Sequence, residues 1–370
     1  MRGNRLLTEA IPPNLQDMRT PPVPKHRRFA VFGASACLLA AAGPASACLD
    51  LGVYQDDPVP NFSQLTANVG PAVNTVSVYI TAGTGLDPKL VALAQKRKLK
   101  LLVTWAPDNG TETRDQPGFT NADVTAGKFD KSLGDLATQM AQTGLPGTMR
   151  IMPEGNAPWY AWSGNVNGNT PASYVTAFQH AALVVKKATR GKVKILWAPY
   201  VRSIPETAEN ALEKYYPGVK WIDFAGASGH NFGAVPASSA WKDPAETFTK
   251  AYQQIQALGA KPFYITETGS TGNGGDKAGW IAGLGKLGTA MPQLKGAIWY
   301  DQLDPLGDFR VRSGSPETLA FRTLVKAQGC RPAGLVKPKP KTKKTVKKGK
   351  KPIAKKAAPK LGAAVTKKEG

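Results

Sequence analysis

Eight short apolar runs, rich in β-branched and aromatic residues, recur between residues 51 and 300, and their rhythm limits the folds open to this chain. They fall at residues 51–55, 75–80, 99–105, 147–152, 193–198, 221–228, 262–266 and 296–300. Continuous apolar runs of this length suit strands covered on both faces, as in a parallel sheet flanked by helices. Helical patterns lie between most of them, as at 87–98, 130–144 and 172–188, the last two being DKSLGDLATQMAQTG and ASYVTAFQHAALVVKKA. Eight β/α units in about 280 residues predict a (β/α)8 TIM barrel. The competing doubly wound open sheet needs a glycine-rich turn after its first strand, and LGVYQDDP has none.

The charge of the chain is +22, but it is unevenly placed. Residues 331–370 hold fifteen Lys or Arg against the single acid Glu369, whereas residues 48–330 hold 27 basic against 23 acidic side chains. The barrel is thus nearly balanced and carries no general bias toward nucleic acid. The terminal segment has no aromatic residue and is expected to be a disordered basic tail that meets acidic cell-surface polymers or only solubilises the chain. At the other end, KHRR, the apolar run FAVFGASACLLAAAG and ASA have the layout of an export signal over residues 1–47, with cleavage after Ala47 and a start at Met1 or Met18. That run is shorter than the roughly 20 residues of a spanning helix, so no transmembrane helix is expected after its removal. Cys37 would leave with the signal, so Cys48 and Cys330 remain, either as a disulfide joining the ends of the barrel or with Cys48 free or acylated.

Barrel chemistry sits at the C-terminal ends of the strands. Among the glutamates of the barrel region, Glu154 and Glu267 stand at the ends of the fourth and seventh apolar runs. Trp105, Trp159, Trp162, Trp197 and Trp299, with Tyr160, Tyr200 and Tyr300, collect at the same level and suit the flat faces of pyranose rings. Two carboxyls across an aromatic cleft are the equipment of glycoside hydrolysis. Other chemistries find little support, since only His180 and His230 follow the signal and no zinc-type Cys/His cluster, G-x-S-x-G elbow or P-loop is present; no metal or cofactor is expected.

The motifs resemble those of glycoside hydrolase family 26, retaining TIM-barrel enzymes with catalytic glutamates after strands four and seven. RIMPEGNAPW is similar to the family's strand-four motif, and the resemblance implies Glu154 as proton donor, with Arg150, Asn156 and Trp159 around the substrate. ITETGS resembles the strand-seven motif and implies Glu267 as nucleophile; AIWYDQ implies Trp299 as the strand-eight sugar platform. Two positions depart from the family pattern. Pro153 stands where a His is usual before the acid, and His230 where a strand-six Tyr usually reaches the nucleophile, so His230 is expected to donate to Glu267 instead.

The resulting expectation is a secreted, monomeric, retaining endo-β-glycosidase, its carboxyls about 5–5.5 Å apart, acting on β-1,4-mannan first, then mixed-linkage β-glucan or a microbial exopolysaccharide. Trp105, Trp162 and His230 join the expected substrate contacts. The alternatives are a non-catalytic carbohydrate-binding barrel and a polyanion or cell-wall binder working through the tail.

Overall fold

The computed structural model describes residues 48–111, 113–235, 240–259 and 262–330; the signal assigned to residues 1–47 and the tail assigned to residues 331–370 lie outside them. Strands and helices alternate as β1 (Asp50–Tyr54), α1 (Pro58–Val69), β2 (Val73–Thr81), α2 (Pro88–Arg97), β3 (Lys100–Ala106), α3 (Asn121–Thr125), α4 (Asp130–Gln142) and β4 (Gly147–Ile151). The order continues with α5 (Pro171–Thr189), β5 (Lys194–Trp197), β6 (Phe224–Asn231), α6 (Pro244–Ala257), β7 (Phe263–Ser270), α7 (Lys277–Leu284), α8 (Leu287–Ala290), β8 (Leu294–Tyr300) and α9 (Pro316–Gln328), with a small hairpin over Leu303–Asp308 before α9. The strands β1 to β8 pair in sequence order, all parallel, and β1 closes the ring by pairing with β8 from Asp50↔Gly296 to Tyr54↔Tyr300. The expected (β/α)8 barrel is the fold of the protein.

Local chemistry sets the helix starts. Asp87, Thr170, Asp243 and Ser315 each accept a backbone N–H with the side chain and each precedes a proline, so α2, α5, α6 and α9 open with both a polar cap and a preset φ. The strands sort their side chains by parity. Leu101, Val103 and Trp105 of β3 belong to the apolar layer between sheet and helices, while Leu102 packs with Tyr54, Ile298, Tyr300 and Phe309 in a separate inner cluster.

β7 breaks that parity. Its pairing shifts register against β6 between Ala227 and Ser228, and against β8 between Ile265 and Thr268. Thr266 meets Ser228 and Glu267 meets Arg150, so two consecutive side chains reach the barrel interior. A bulge re-aims a side chain in this way and commonly borders a site. It also corrects the expected end of this strand, because polar inward residues carry β7 four positions past the apolar run 262–266. Similarly, Trp221 lies in a 3₁₀ turn, Val219–Trp221, and not in the sixth strand as its apolar neighbours suggest.

The ends of the barrel are joined. Cys48 and Cys330 form a disulfide with Cα atoms 4.9 Å apart, beside backbone hydrogen bonds from Leu49 N to Gln328 O and from Cys330 N to Leu49 O. Among the described residues, no helix is long and apolar enough to cross a membrane.

Candidate active site

Glu154 sits in the loop after β4, and that loop is held from every side. Tyr174 Oη donates to Met152 O at 2.7 Å, Trp162 Nε1 to Pro153 O at 2.8 Å, and Glu154 N to Ala198 O at 2.8 Å beyond β5. Gly155 is required here, since a Cβ would stand 2.3 Å from the Tyr174 ring. Met152 and Glu154 both have left-handed φ, 43° and 57°, with Pro153 between them. Such a conformation costs of order 1–3 kcal/mol for a residue with a Cβ, and it is sustained by the surrounding bonds. Pro153 therefore works through its backbone: its fixed φ and its carbonyl brace the turn that aims Glu154.

The two carboxyls are buried but differently dressed. Glu154 is 1% exposed; its Oε2 accepts from Trp159 Nε1 at 2.7 Å, and its Oε1 is buried without a hydrogen-bond partner. Burial, then the Glu267 charge, push its pKa up to about 7, against the pull of Arg150, the Ser228 hydroxyl and Trp159. Glu267 Oε2 instead accepts from Tyr79 Oη at 2.7 Å and Arg150 Nη2 at 3.0 Å. Arg150 is wholly buried and is itself fixed by Thr104 Oγ1, with its Nε donating at 2.8 Å, and by Ser228 Oγ at 3.3 Å. One carboxyl is thus held neutral near pH 7 and the other is paired with a cation.

Several sequence expectations need correction. Trp105, Trp162 and Trp299 are at most 1% exposed, and none faces the cleft. Trp105 packs on Phe129, Trp162 lies behind Tyr160 with its ring centroid 4.3 Å away, and Trp299 is wedged between Trp280 of α7 and Phe321 of α9 with its indole N–H on Phe309 O. Position at a strand end placed them at the right height, but strand parity turns Trp105 and Trp299 outward to the helices. Tyr300, the next residue, has the inward parity and stacks on Tyr54 at 5.5 Å. Asn156 is also buried, and its side chain is spent on Tyr200 N, Tyr200 O and Ser203 Oγ, tying the Glu154 loop to the segment after β5. Its side chain thus positions the loop that carries Glu154.

His230 does not donate to Glu267 in the expected way, because its Nε2 is 3.8 Å from Glu267 Oε1, beyond hydrogen-bond distance. Burial pushes its pKa down to about 4, so the ring is neutral. The donor that sequence reasoning missed is Tyr79, on the inward parity of β2; period-two counting from Ser77 could have found it. Of the five tryptophans expected at the mouth, Trp159 remains, half-buried and edge-on to Tyr200 at 4.9 Å.

A titration prediction follows from this geometry. If neutral Glu154 is needed for activity, the rate should fall above about pH 7, where its proton is lost. Trp159→Phe removes a donor that favours the ionised form, so the alkaline limb of kcat/KM should move to higher pH. An unmoved limb would sink the assignment of that limb to Glu154.

No protein-family model matches the chain. It is 27% identical over 237 residues to Endoglucanase H of Acetivibrio thermocellus, a match covering 63% of this chain but 25% of that protein, so the chain spans about a quarter of the length of this curated relative. Similar solved structures include a modular endo-β-1,4-mannanase from Cellulomonas fimi, with TM-score 0.55 and 13% identity over 75% of this chain and 70% of that one. A family 26 β-mannanase from Bacteroides ovatus gives 0.53 and 15%, over 76% and 89% of the two chains. A β-mannanase from a symbiotic protist of the termite Reticulitermes speratus gives 0.53 and 13%, over 77% and 88%. The chain shares with these structures the (β/α)8 barrel fold that the resemblance implied.

Proposed function

We propose that this protein is a retaining β-glycosidase of the family 26 type that hydrolyses an extracellular β-linked polysaccharide by double displacement. The observation that carries the reading is the asymmetry of the two carboxyls: Glu154 is raised to about 7 beside Trp159, and Glu267 is paired with Arg150. In the first step Glu267 attacks the anomeric carbon while Glu154 gives its proton to the departing oxygen. In the second, Glu154 takes a proton from water, whose oxygen displaces Glu267. Arg150 pairs with Glu267 and fixes its Oε2, and Trp159 steadies the Glu154 oxygen that does not carry the proton.

β-1,4-Mannan remains the first substrate to test, supported by the names of the structural neighbours, and mixed-linkage β-glucan the second, supported by the name of the curated relative. The half-buried Trp159 and Tyr79 offer apolar faces to either sugar. The full chain should release reducing ends from at least one of mannan, glucomannan, mixed-linkage β-glucan or a bacterial exopolysaccharide. Proton NMR of the first products should show the β-anomer. Initial release of the α-anomer would instead indicate inversion, and no release from any polymer would favour the non-catalytic carbohydrate-binding reading.

A further inference from the structure

Glu267 carries a hydrogen bond that crosses the barrel mouth. Tyr79 donates it from β2, a strand that pairs with β1 and β3 and has no edge in common with β7. The accepting atom, Oε2, is also the one that takes Arg150 Nη2, and the Arg150 guanidinium lies 5.0 Å from the centroid of the Tyr79 ring. Tyr79 is thus locked to Arg150 by its face and to Glu267 by its hydroxyl. The other oxygen, Oε1, lies 3.8 Å from the neutral His230, beyond hydrogen-bond distance, and His230 Nε2 is itself buried without a partner.

We infer that Tyr79 is the positioning residue of the nucleophile: with Arg150 it occupies Oε2, leaves Oε1 to attack, and does the work that His230 on β6 does not. This rests on Glu267 being the nucleophile. In glycosylation the bond from Oε1 to the anomeric carbon forms as the bond to the leaving oxygen breaks, and the proton on that oxygen comes from Glu154. Oε2 becomes the ester carbonyl, still facing the Tyr79 hydroxyl. When water displaces the ester, negative charge returns to the carboxylate and this hydrogen bond strengthens, so Tyr79 assists the second step most. Burial raises the Tyr79 phenol well above its ordinary range, which keeps it a donor throughout the working pH range.

The test uses the full chain and a substrate that the wild type cleaves. Tyr79→Phe keeps the ring on Arg150 and removes only the hydroxyl. Expected is a fall in kcat of about 10- to 100-fold, the range for losing a hydrogen bond to a charged group, with KM falling alongside it as the second step becomes limiting. On an activated aryl glycoside the variant should show a burst of phenol and accumulate glycosyl-enzyme, as a slowed second step requires. His230→Gln serves as control: it should show no such accumulation, since the bond from Tyr79 to Oε2 persists. A Tyr79→Phe enzyme that keeps kcat within twofold and accumulates no glycosyl-enzyme, while the wild type is active, overturns the inference alone. Glycosyl-enzyme accumulating in His230→Gln but not in Tyr79→Phe would hand the role back to His230. A wild type inactive on every polymer removes the inference together with the proposed function.

Discussion

Glu267→Ala is expected to lower kcat by about 10⁴- to 10⁶-fold, whatever the leaving group, because both displacements need the carboxylate at the anomeric carbon. Glu154→Ala should behave differently. On polysaccharide, whose leaving alcohol must be protonated, the loss should be about 10²- to 10⁴-fold. On an activated aryl glycoside the first step needs no proton, so glycosyl-enzyme should accumulate and a burst of phenol should be seen. Azide separates the two variants again. With Glu154→Ala it attacks the glycosyl-enzyme and gives the β-azide; with Glu267→Ala it fills the vacated space and gives the α-azide. Hydrolysis left intact in either variant, or the same azide anomer from both, would show that the two roles are misassigned.

Glu154 should also reveal itself in stability. Its folded pKa is raised to about 7, so the folded state binds this proton more tightly than the unfolded chain does. Stability from this group is present below the ordinary carboxylate range and declines as pH rises toward 7, above which the folded protein carries the whole cost of a buried charge. Glu154→Gln never carries that charge. Its melting temperature should exceed that of the wild type at pH 8 and approach it at pH 4, a stability gain won by loss of function.

What could be read in the sequence, and what could not, divides along strand parity. The barrel was legible because each buried strand is a continuous apolar run and each helix is punctuated by caps such as Asp87-Pro88 and Thr170-Pro171. Glu154 and Glu267 stood out as charges at the ends of such runs. The direction of a side chain at a strand end was not legible, since one residue of displacement exchanges core for cleft. Trp299 and Tyr300 are neighbours, yet the first faces α7 and α9 and the second faces Tyr54. The bulge at Thr266–Glu267 is a register event between strands, with no signature in either strand alone. The bond from Tyr79 joins residues 188 apart, and only the closed ring brings them together. Pro153 departs from the family's His in the sequence, but its backbone contribution depends on Trp162 Nε1 reaching its carbonyl, which only the folded loop provides.

The disulfide should matter as much for stability as the carboxyls do for rate. Cys48 and Cys330 are 282 residues apart, so the bond closes a loop of nearly the whole barrel. In the chain-entropy account such a loop stabilises the fold by about 5 kcal/mol through restriction of the unfolded chain. For a domain of this size that corresponds to a fall of about 10–20 °C in melting temperature when the bond is removed. The bond joins the start of β1 to the end of α9, and Asn74 Nδ2 reinforces the junction by donating to Cys330 O at 3.0 Å. This is the N-terminal end of the strands, opposite the mouth that holds Glu154 and Glu267. The double variant Cys48→Ser/Cys330→Ser should therefore melt earlier and unfold at lower denaturant, yet keep the wild-type kcat at 25 °C. If its melting point fell by less than about 3 °C, the backbone bonds around Leu49 would be sufficient to hold the ends, and the loop-closure argument would fail. If kcat fell while the melting point held, closure of β1 on β8 would be coupled to the geometry of the mouth, which the rigid pairing from Asp50 to Tyr54 argues against.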